Sequence, residues 1–206
     1  HVELTKGGFP ARYGGRLSSV IDINMKEGNM KEVKGEGSIG IISAKATIEG
    51  PISKDKTSFI VSARRTYIDL LARPIIRRQA RKQGNEAIAG YYFYDINLKL
   101  NHIINSRNRL YLSTYLGDDK VYAKSDDRYT RGLATITNHD EFGLRWGNSI
   151  TAARWNHVFG PKLFSHVTAT YSRYLFDIKQ HYEETTSAPG VPDENDFSGI
   201  KYHSGI

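Results

Sequence analysis

The sequence contains no cysteine, which excludes disulfide bridges and thiolate metal sites for this chain. Long hydrophobic runs are also missing, because the longest segment without Asp, Glu, Lys or Arg covers only residues 163–172. A membrane-spanning helix needs about 20 apolar residues, so we expect none here. The mean hydropathy of -0.50 agrees with that expectation.

Positive charge and aromatic residues are what the chain does have. Its 206 residues, enough for one domain with its own core, include 29 Lys and Arg against 22 Asp and Glu, which gives a net charge of +7. The aromatic residues include 13 Tyr and 8 Phe. The charge suits a polyanionic partner, and it does not distinguish nucleic acid from lipopolysaccharide.

Apolar and polar residues alternate with a period of two over most of the chain. The segment from Tyr92 to Leu100 places apolar residues at even positions and Asp95, Asn97 and Lys99 between them. The same alternation occurs at 58–64, 109–116 and 142–146. It predicts strands with one apolar and one polar face, as in half-solvated antiparallel sheets and in transmembrane barrels.

The predicted connections between strands alternate in length. Short ones lie at 50–56, 105–108 and 159–162, and long polar ones at 69–90, 118–140 and 183–196. Short turns at one end and long loops at the other are typical of outer-membrane barrels. Aromatic clusters at 91–94 and around Trp155 fit the girdles of such barrels, although Tyr and Phe also simply favour strands.

Two segments depart from simple alternation. Beyond Ala153 the apolar residues shift onto Trp155 and Phe159, which predicts a bulge at 152–154 or the end of the membrane band. Residues 67–83 instead predict an amphipathic helix, kinked or restarted at Pro74, in a loop on the outer rim. Its basic residues could face lipopolysaccharide phosphates, bind nucleic acid or form a solvated surface: Arg73, Arg77, Arg78, Arg81 and Lys82.

The first 29 residues combine glycine-rich turns with a short predicted strand. The turn residues are Gly7, Gly8, Pro10, Gly14 and Gly15. With the strand Val20–Lys26, they resemble the end of the plug domain in TonB-dependent receptors, especially those of Bacteroidota outer membranes. The family's usual Asn-Ile pair and Thr-Lys ending are replaced by Asp22-Ile23 and Met25-Lys26. The continuation, 35–71, resembles the first barrel hairpin, and the rest of the chain shares only the strand pattern.

The resemblance implies an all-β chain, a partial transmembrane antiparallel β-barrel preceded by the C-terminal part of a plug. We expect residues 1–28 to end the plug and residues 29–206 to form the first third of the barrel, about six or seven of about 22 strands. The implied function is energised nutrient uptake across the bacterial outer membrane. The alternative is a structural or docking subunit of a larger outer-membrane assembly. A soluble basic nucleic-acid-binding β-protein is a third interpretation, which we do not favour.

The resemblance also implies the partners of the chain. They are outer-membrane lipid and lipopolysaccharide, a TonB-type energising protein that contacts a segment outside this chain, and a surface lipoprotein or larger membrane assembly. We expect no nucleic-acid partner, cofactor, metal or enzymatic activity. Carboxylates such as Asp126 and Asp127 sit in predicted loops, and the histidines are scattered without metal-ligand spacing.

Alternation further predicts which side chains face lipid and which face the lumen of a barrel. The residues expected to face lipid are Ile96, Leu98, Leu100, Leu110, Leu112, Leu144 and Val167. Those expected to face the lumen are Arg64, Asp95, Asn97, Lys99 and Arg145. We also expect the first wall strand (33–49) and the last (197–206) to have one unpaired side each, because a partial barrel does not close.

Overall fold

The computed structural model describes residues 2–7, 19–23 and 25–205, most of which lie in strands. Along these residues the elements are β1 (Val2–Lys6), β2 (Ser19–Ile23), β3 (Lys34–Ile39), β4 (Ser43–Ser53), β5 (Thr57–Thr66), α1 (Ile68–Lys82), β6 (Glu86–Asn105), β7 (Asn108–Arg131), β8 (Ala134–Gly160), β9 (Leu163–Ala188) and β10 (Val191–Gly205). Period-two alternation explains the strands, since successive side chains of a strand point to opposite faces. The all-β composition predicted from the sequence is confirmed.

The strands form two separate antiparallel sheets. β1 pairs only with β2, with Val2 opposite Ile23. The other eight strands form one sheet in which each strand pairs with the next in sequence, from β3 to β10. Among the described residues, β3 and β10 each have a single neighbour, so the large sheet has two open edges, as expected.

The large sheet has eight strands rather than six or seven, because the single strand predicted over 33–49 is a hairpin. Its turn spans 40–42, where the Gly40 N–H donates a hydrogen bond of 2.8 Å to the Ser43 carbonyl. Two isoleucines, Ile41 and Ile42, occupy this turn and are exposed. Asn, Asp and Ser, which usually indicate a turn, are missing from these two positions. The sequence pattern therefore predicts one continuous strand here.

Two of the three predicted long loops are wrong. The segments 118–140 and 183–196 continue the strands into two long hairpins, β7–β8 and β9–β10. Each hairpin closes on a glycine with positive φ, Gly132 at 66° and Gly190 at 80°. Polar residues on both faces of these hairpins resemble a loop in sequence, although the backbone ladder continues through them.

The third long connection holds the predicted helix. α1 covers Ile68–Lys82 and continues through Pro74 as a single helix. In the part of the chain that the structure describes, no helix combines the length and apolar character needed to cross a membrane.

The predicted bulge at 152–154 is absent. The β7–β8 ladder runs without interruption from Asn108 opposite His157 to Arg131 opposite Ala134. The β8–β9 ladder is irregular only between Val158 and Gly160, beside its turn. Regular pairing across 152–154 therefore decides on which face each β8 side chain lies.

Candidate functional site

Strand register gives the large sheet one apolar and one polar face. Directly paired residues share a face, so Leu98 lies with Val61 and Thr114, whereas Asn97 lies with Ser62 on the other side. We call the first side the apolar face: Phe59, Val61, Ala63, Ile96, Leu98, Leu100, Leu110, Leu112, Leu116, Ala153, Trp155, Val167 and Ala169. We call the second side the polar face: Ser58, Ser62, Arg64, Asp95, Asn97, Lys99, Asn101, Arg109, Tyr111, Ser113, Tyr115 and Arg154.

Burial on these two faces is the reverse of that in a soluble sheet. On the polar face, Ser58 is 0% exposed and Asn101 is 1% exposed. On the apolar face, Leu112 keeps 37% of its surface exposed and Val167 keeps 57%. A water-soluble sheet normally packs its apolar side into a core and leaves its polar side in water. Within the described residues, the apolar face has no such core.

Most residues that were predicted to share a face do lie on the same face of the sheet. Six of the seven residues expected to face lipid share the apolar face: Ile96, Leu98, Leu100, Leu110, Leu112 and Val167. Four of the five residues expected to face the lumen share the polar face: Arg64, Asp95, Asn97 and Lys99. The two exceptions, Leu144 and Arg145, are neighbours on β8.

The expected faces of Leu144 and Arg145 are wrong. Leu144 pairs with Val121 and so lies on the side of the polar face, while Arg145 pairs with Lys120 on the side of the apolar face. The Arg145 guanidinium donates to Asp118 at 2.8 Å. This part of β8 lies beyond the uncharged part of the apolar face, where apolar side chains are no longer restricted to one side.

Arg64 and Asp95 form an ion pair on the polar face. The Arg64 guanidinium lies 2.7 Å from the Asp95 carboxylate and 4.9 Å from the centre of the Phe93 ring. The Asp95 side chain is mostly buried, and the hydrogen bond from Arg64 Nε at 2.8 Å helps to satisfy its charge. Their strands are direct neighbours, so this pair links β5 to β6.

Tyr111 lies at the centre of a cluster of cations that the sequence reasoning did not single out. The Arg154 guanidinium lies 4.3 Å from the ring centre, Arg109 lies 5.2 Å away and the Lys99 ammonium 5.8 Å away. Arg109 also donates to the Asn101 amide oxygen at 2.8 Å. Alternation from Lys99 and Tyr111 could have predicted a shared face, but only the strand register brings these side chains together.

Residues 25–28, here called the linker segment, lie against this part of the polar face. Lys99 donates to the Met25 carbonyl at 2.9 Å, and Ser58 donates to the Glu27 carbonyl at 2.8 Å. The Glu27 carboxylate accepts from Arg109 at 2.8 Å and from Asn101 at 3.5 Å. The linker segment therefore contacts β5, β6 and β7 and covers polar groups that would otherwise be exposed.

Gly28 fixes how closely the linker segment approaches the sheet. Its φ of +82° favours glycine, and a Cβ at this position would lie 2.4 Å from the Phe59 carbonyl oxygen. Because that oxygen belongs to the backbone of a paired strand, it has little room to move. Only glycine allows this contact between the linker segment and β5.

We expect Glu27→Gln to loosen the linker segment. The substitution removes the charge that pairs with Arg109 and leaves the cations around Tyr111 without this carboxylate. Since the Glu27–Arg109 pair is partly exposed, we expect a cost of about 0.5–1 kcal/mol, together with faster tryptic cleavage after Lys26. The readouts are the urea midpoint and the cleavage rate.

The matched control for Glu27→Gln is Glu32→Gln. Glu32 also pairs with a cation, Lys34 at 2.8 Å, and both of these side chains are more than half exposed. We expect this control to leave the urea midpoint and the cleavage rate unchanged. Equal effects of the two substitutions would contradict the role given to Glu27.

α1 packs beside β6 and contacts β7 on the side of the apolar face. Asp69 and Ala80 are the buried residues of the helix, and Arg73 donates to the Tyr122 hydroxyl at 2.9 Å. The exposed surface of α1 divides along its length. Its first half exposes Leu70, Leu71 and Ile75, and its second half exposes four basic residues, Arg77, Arg78, Arg81 and Lys82. Of the five predicted lipopolysaccharide-facing cations, only Arg73 is directed onto the sheet.

A strip of charged residues on β7, β8 and β9 lies on the same side of the sheet as the apolar face, beyond its uncharged part. Glu141 accepts contacts from both Lys124 at 3.2 Å and Lys179 at 3.1 Å. The hydrogen bonds from Lys179 and then Lys124 lower the pKa of the Glu141 carboxyl. The carboxylate therefore holds both lysines at neutral pH, and this contact weakens only as the pH falls through the lowered pKa.

The described part of the chain contains no cluster of metal-ligating side chains. No group of three or more His, Asp and Glu side chains has a geometry suited to a metal ion across residues 2–7, 19–23 and 25–205. His139 contacts Asp126 at 2.5 Å on an exposed hairpin. Asp126 lies in strand β7 rather than in the loop predicted for it.

No protein-family model matches this chain, and no curated protein sequence matches it either.

Proposed function

We propose that this chain forms part of the wall of an outer-membrane β-barrel, in a receptor of the TonB-dependent type that takes up a nutrient. The observation that carries the proposal is the reversed burial, with an exposed apolar face and buried polar residues such as Asn101 on the opposite face. A lipid bilayer favours this arrangement, because acyl chains accept apolar side chains whereas the polar ones must find partners inside the barrel.

The extent of the apolar face supports a bilayer as its environment. On β7 its uncharged part runs over nine residues, from Asn108 to Leu116, and Asp118 is the next residue on that side. A tilted transmembrane strand needs about 9–11 residues. β7 has 24 residues and β8 has 27, so each is long enough to cross the membrane and extend well beyond it.

The sheet edges and the linker segment support a plugged barrel in particular. The open sides of β3 and β10 can pair with strands from outside this chain, as a closed barrel requires in lipid. The separate β1–β2 sheet and the linker segment on the polar face suit the end of a plug that enters the lumen. Under this proposal residues 1–28 end the plug, and residues 29–206 belong to the wall.

Single-cysteine labelling tests the two faces directly, since this chain has no cysteine of its own. We expect Leu98→Cys, in the protein purified with its native membrane, to react with a lipid-soluble maleimide and to resist a charged one. Lys54→Cys, in an exposed turn, should react readily with the charged reagent. If Leu98→Cys reacted with the charged reagent as fast as Lys54→Cys, the proposed membrane wall would be rejected.

Transport is tested in cells. A strain without this protein should lose growth on one scarce nutrient, and removal of the energising protein should cause the same loss.

The long hairpins favour the alternative of a docking subunit, because Leu133 at the β7–β8 tip is 85% exposed and available to a partner. Unchanged growth on every nutrient, with a larger membrane assembly losing a subunit, would favour that alternative over transport.

A further inference from the structure

A groove lies between α1 and the charged strip of β7–β9. It has a volume of about 430 Å³ and is lined by five cations, Arg73, Lys120, Lys124, Arg145 and Lys179. Two carboxylates, Glu141 and Asp177, also line it. Cations therefore outnumber anions by three in the groove, and the excess favours an anionic ligand.

Most of the lysines are available to such a ligand. Lys124 and Lys179 share the single carboxylate of Glu141, so one of their two charges is not balanced by it. Among the described residues, no carboxylate lies within 4.0 Å of the Lys120 ammonium or the Arg73 guanidinium. A phosphate group suits lysines well, because an ammonium group binds it as a point charge without a fixed geometry.

The groove lies just beyond the uncharged part of the apolar face. On β7, Lys120 follows Leu116 by four residues on the same side, which is about 13 Å along a strand. Tyr92 pairs with Lys120 and lines the groove at the position where aromatic residues mark a membrane interface. A lipid whose acyl chains cover Leu112 and Leu116 would place its headgroup at this level.

α1 contributes Arg73 to the lining of the groove, and the surface of the helix suits the same depth in the membrane. Arg73 holds the helix to the sheet through the Tyr122 hydroxyl. The exposed Leu71 and Ile75 lie in the half of the helix that follows β5, and the basic residues lie in the other half. A helix with this division fits the boundary between acyl chains and charged headgroups.

We propose that this groove binds the phosphate groups of an anionic lipid whose acyl chains lie on the apolar face. The inference rests on the proposed function, because it takes the apolar face to be covered by lipid. The sequence alone predicted that basic residues of α1 face lipopolysaccharide. In this inference the phosphate groups are bound mainly by Lys120, Lys124 and Lys179, which lie on the strands.

The test uses the purified protein in phosphatidylcholine nanodiscs that contain small amounts of a bisphosphorylated lipid A. Native mass spectrometry counts the lipid A molecules retained by wild type, by Lys120→Gln with Lys179→Gln, and by Glu141→Gln. We expect the double variant to retain lipid A about 25-fold more weakly, at about fivefold per lysine. Glu141→Gln should bind about fivefold more tightly, because it releases two lysines.

The controls separate this site from general charge and from free phosphate. Lys54→Gln with Lys162→Gln removes two lysines from turns at the opposite end of the strands and should leave retention unchanged. Dephosphorylated lipid A should be retained equally by wild type and by the double variant. Millimolar inorganic phosphate should compete only weakly, and full competition would mean that the groove is a phosphate site without a lipid.

The failure of this inference differs from the failure of the proposed function. If the protein enters nanodiscs but all variants retain lipid A equally, the groove is not the headgroup site and the membrane wall still stands. If the protein does not enter nanodiscs at all, both proposals are wrong. Opposite effects of the Lys→Gln and Glu141→Gln variants support the site, because a general loss of folding would weaken binding in both.

Discussion

Leu98→Arg is expected to cost about 2–4 kcal/mol of folding stability in the membrane, because it places a guanidinium on the apolar face at mid-depth. Leu98 lies between Val61 and Thr114, with no carboxylate on either directly paired residue to receive the charge. The measurement is the free energy of unfolding in lipid vesicles, together with the amount of protein found in the outer-membrane fraction.

Asn97→Arg is the matched control for this prediction. Asn97 neighbours Leu98 on the same strand, has similar exposure and points to the polar face beside Asp95. We expect a change of less than about 1 kcal/mol, since the new cation finds water and a carboxylate nearby. A soluble protein would tolerate an arginine at the partly exposed Leu98, so equal and small effects would contradict the membrane-facing assignment.

Gly28→Ala is expected to displace the linker segment from the polar face. The added Cβ would lie 2.4 Å from the Phe59 carbonyl oxygen, and the φ of +82° disfavours alanine as well. We expect a total cost of about 2–4 kcal/mol, which combines the backbone strain with the steric overlap. The measurements are the unfolding free energy and the rate of tryptic cleavage after Lys26.

Gly84→Ala separates the two parts of that cost. Gly84 follows α1 with a φ of +80°, nearly the same as that of Gly28, but a Cβ there would meet no atom within 4 Å. We therefore expect only the backbone cost of about 1–2 kcal/mol and unchanged cleavage after Lys26. If the two alanine variants behaved alike, the close contact between Gly28 and β5 would have no energetic role.

The sequence predicted the strands better than it predicted their ends. Alternation identified β6 and the first part of β7, because apolar and polar residues strictly alternate there. It failed where both faces become polar, because that pattern predicts loops at the hairpin tips near Gly132 and Gly190. It also failed where a turn is apolar, as at Ile41. Backbone hydrogen bonds between strands form whether the side chains are polar or apolar. The alternation pattern uses only side-chain polarity, so it does not detect strands or turns that lack the usual polarity.

The candidate site was predicted in part for the same reason. Arg64, Asp95, Asn97 and Lys99 follow a strict alternation, so their common face could be read from the chain. The sequence assigned Arg145 to the wrong face, because neighbouring aromatic and aliphatic residues on β8 occupy the polar side there. The contact of Trp146 with Tyr91, whose rings stack with centres 6.4 Å apart, shows how that side is filled.

By itself the sequence determined that this chain is all-β, that it has one helix after β5, and that its strands have one apolar and one polar face. Those properties follow from local chemistry, because residue spacing sets the side of a strand on which each side chain lies. Only the tertiary structure decided that Glu27 meets Arg109, 82 positions away, and that Arg73 and Lys120 line one groove. Such contacts depend on strand register. Register is fixed jointly by the turn geometry and by the hydrophobic pattern of the paired strands.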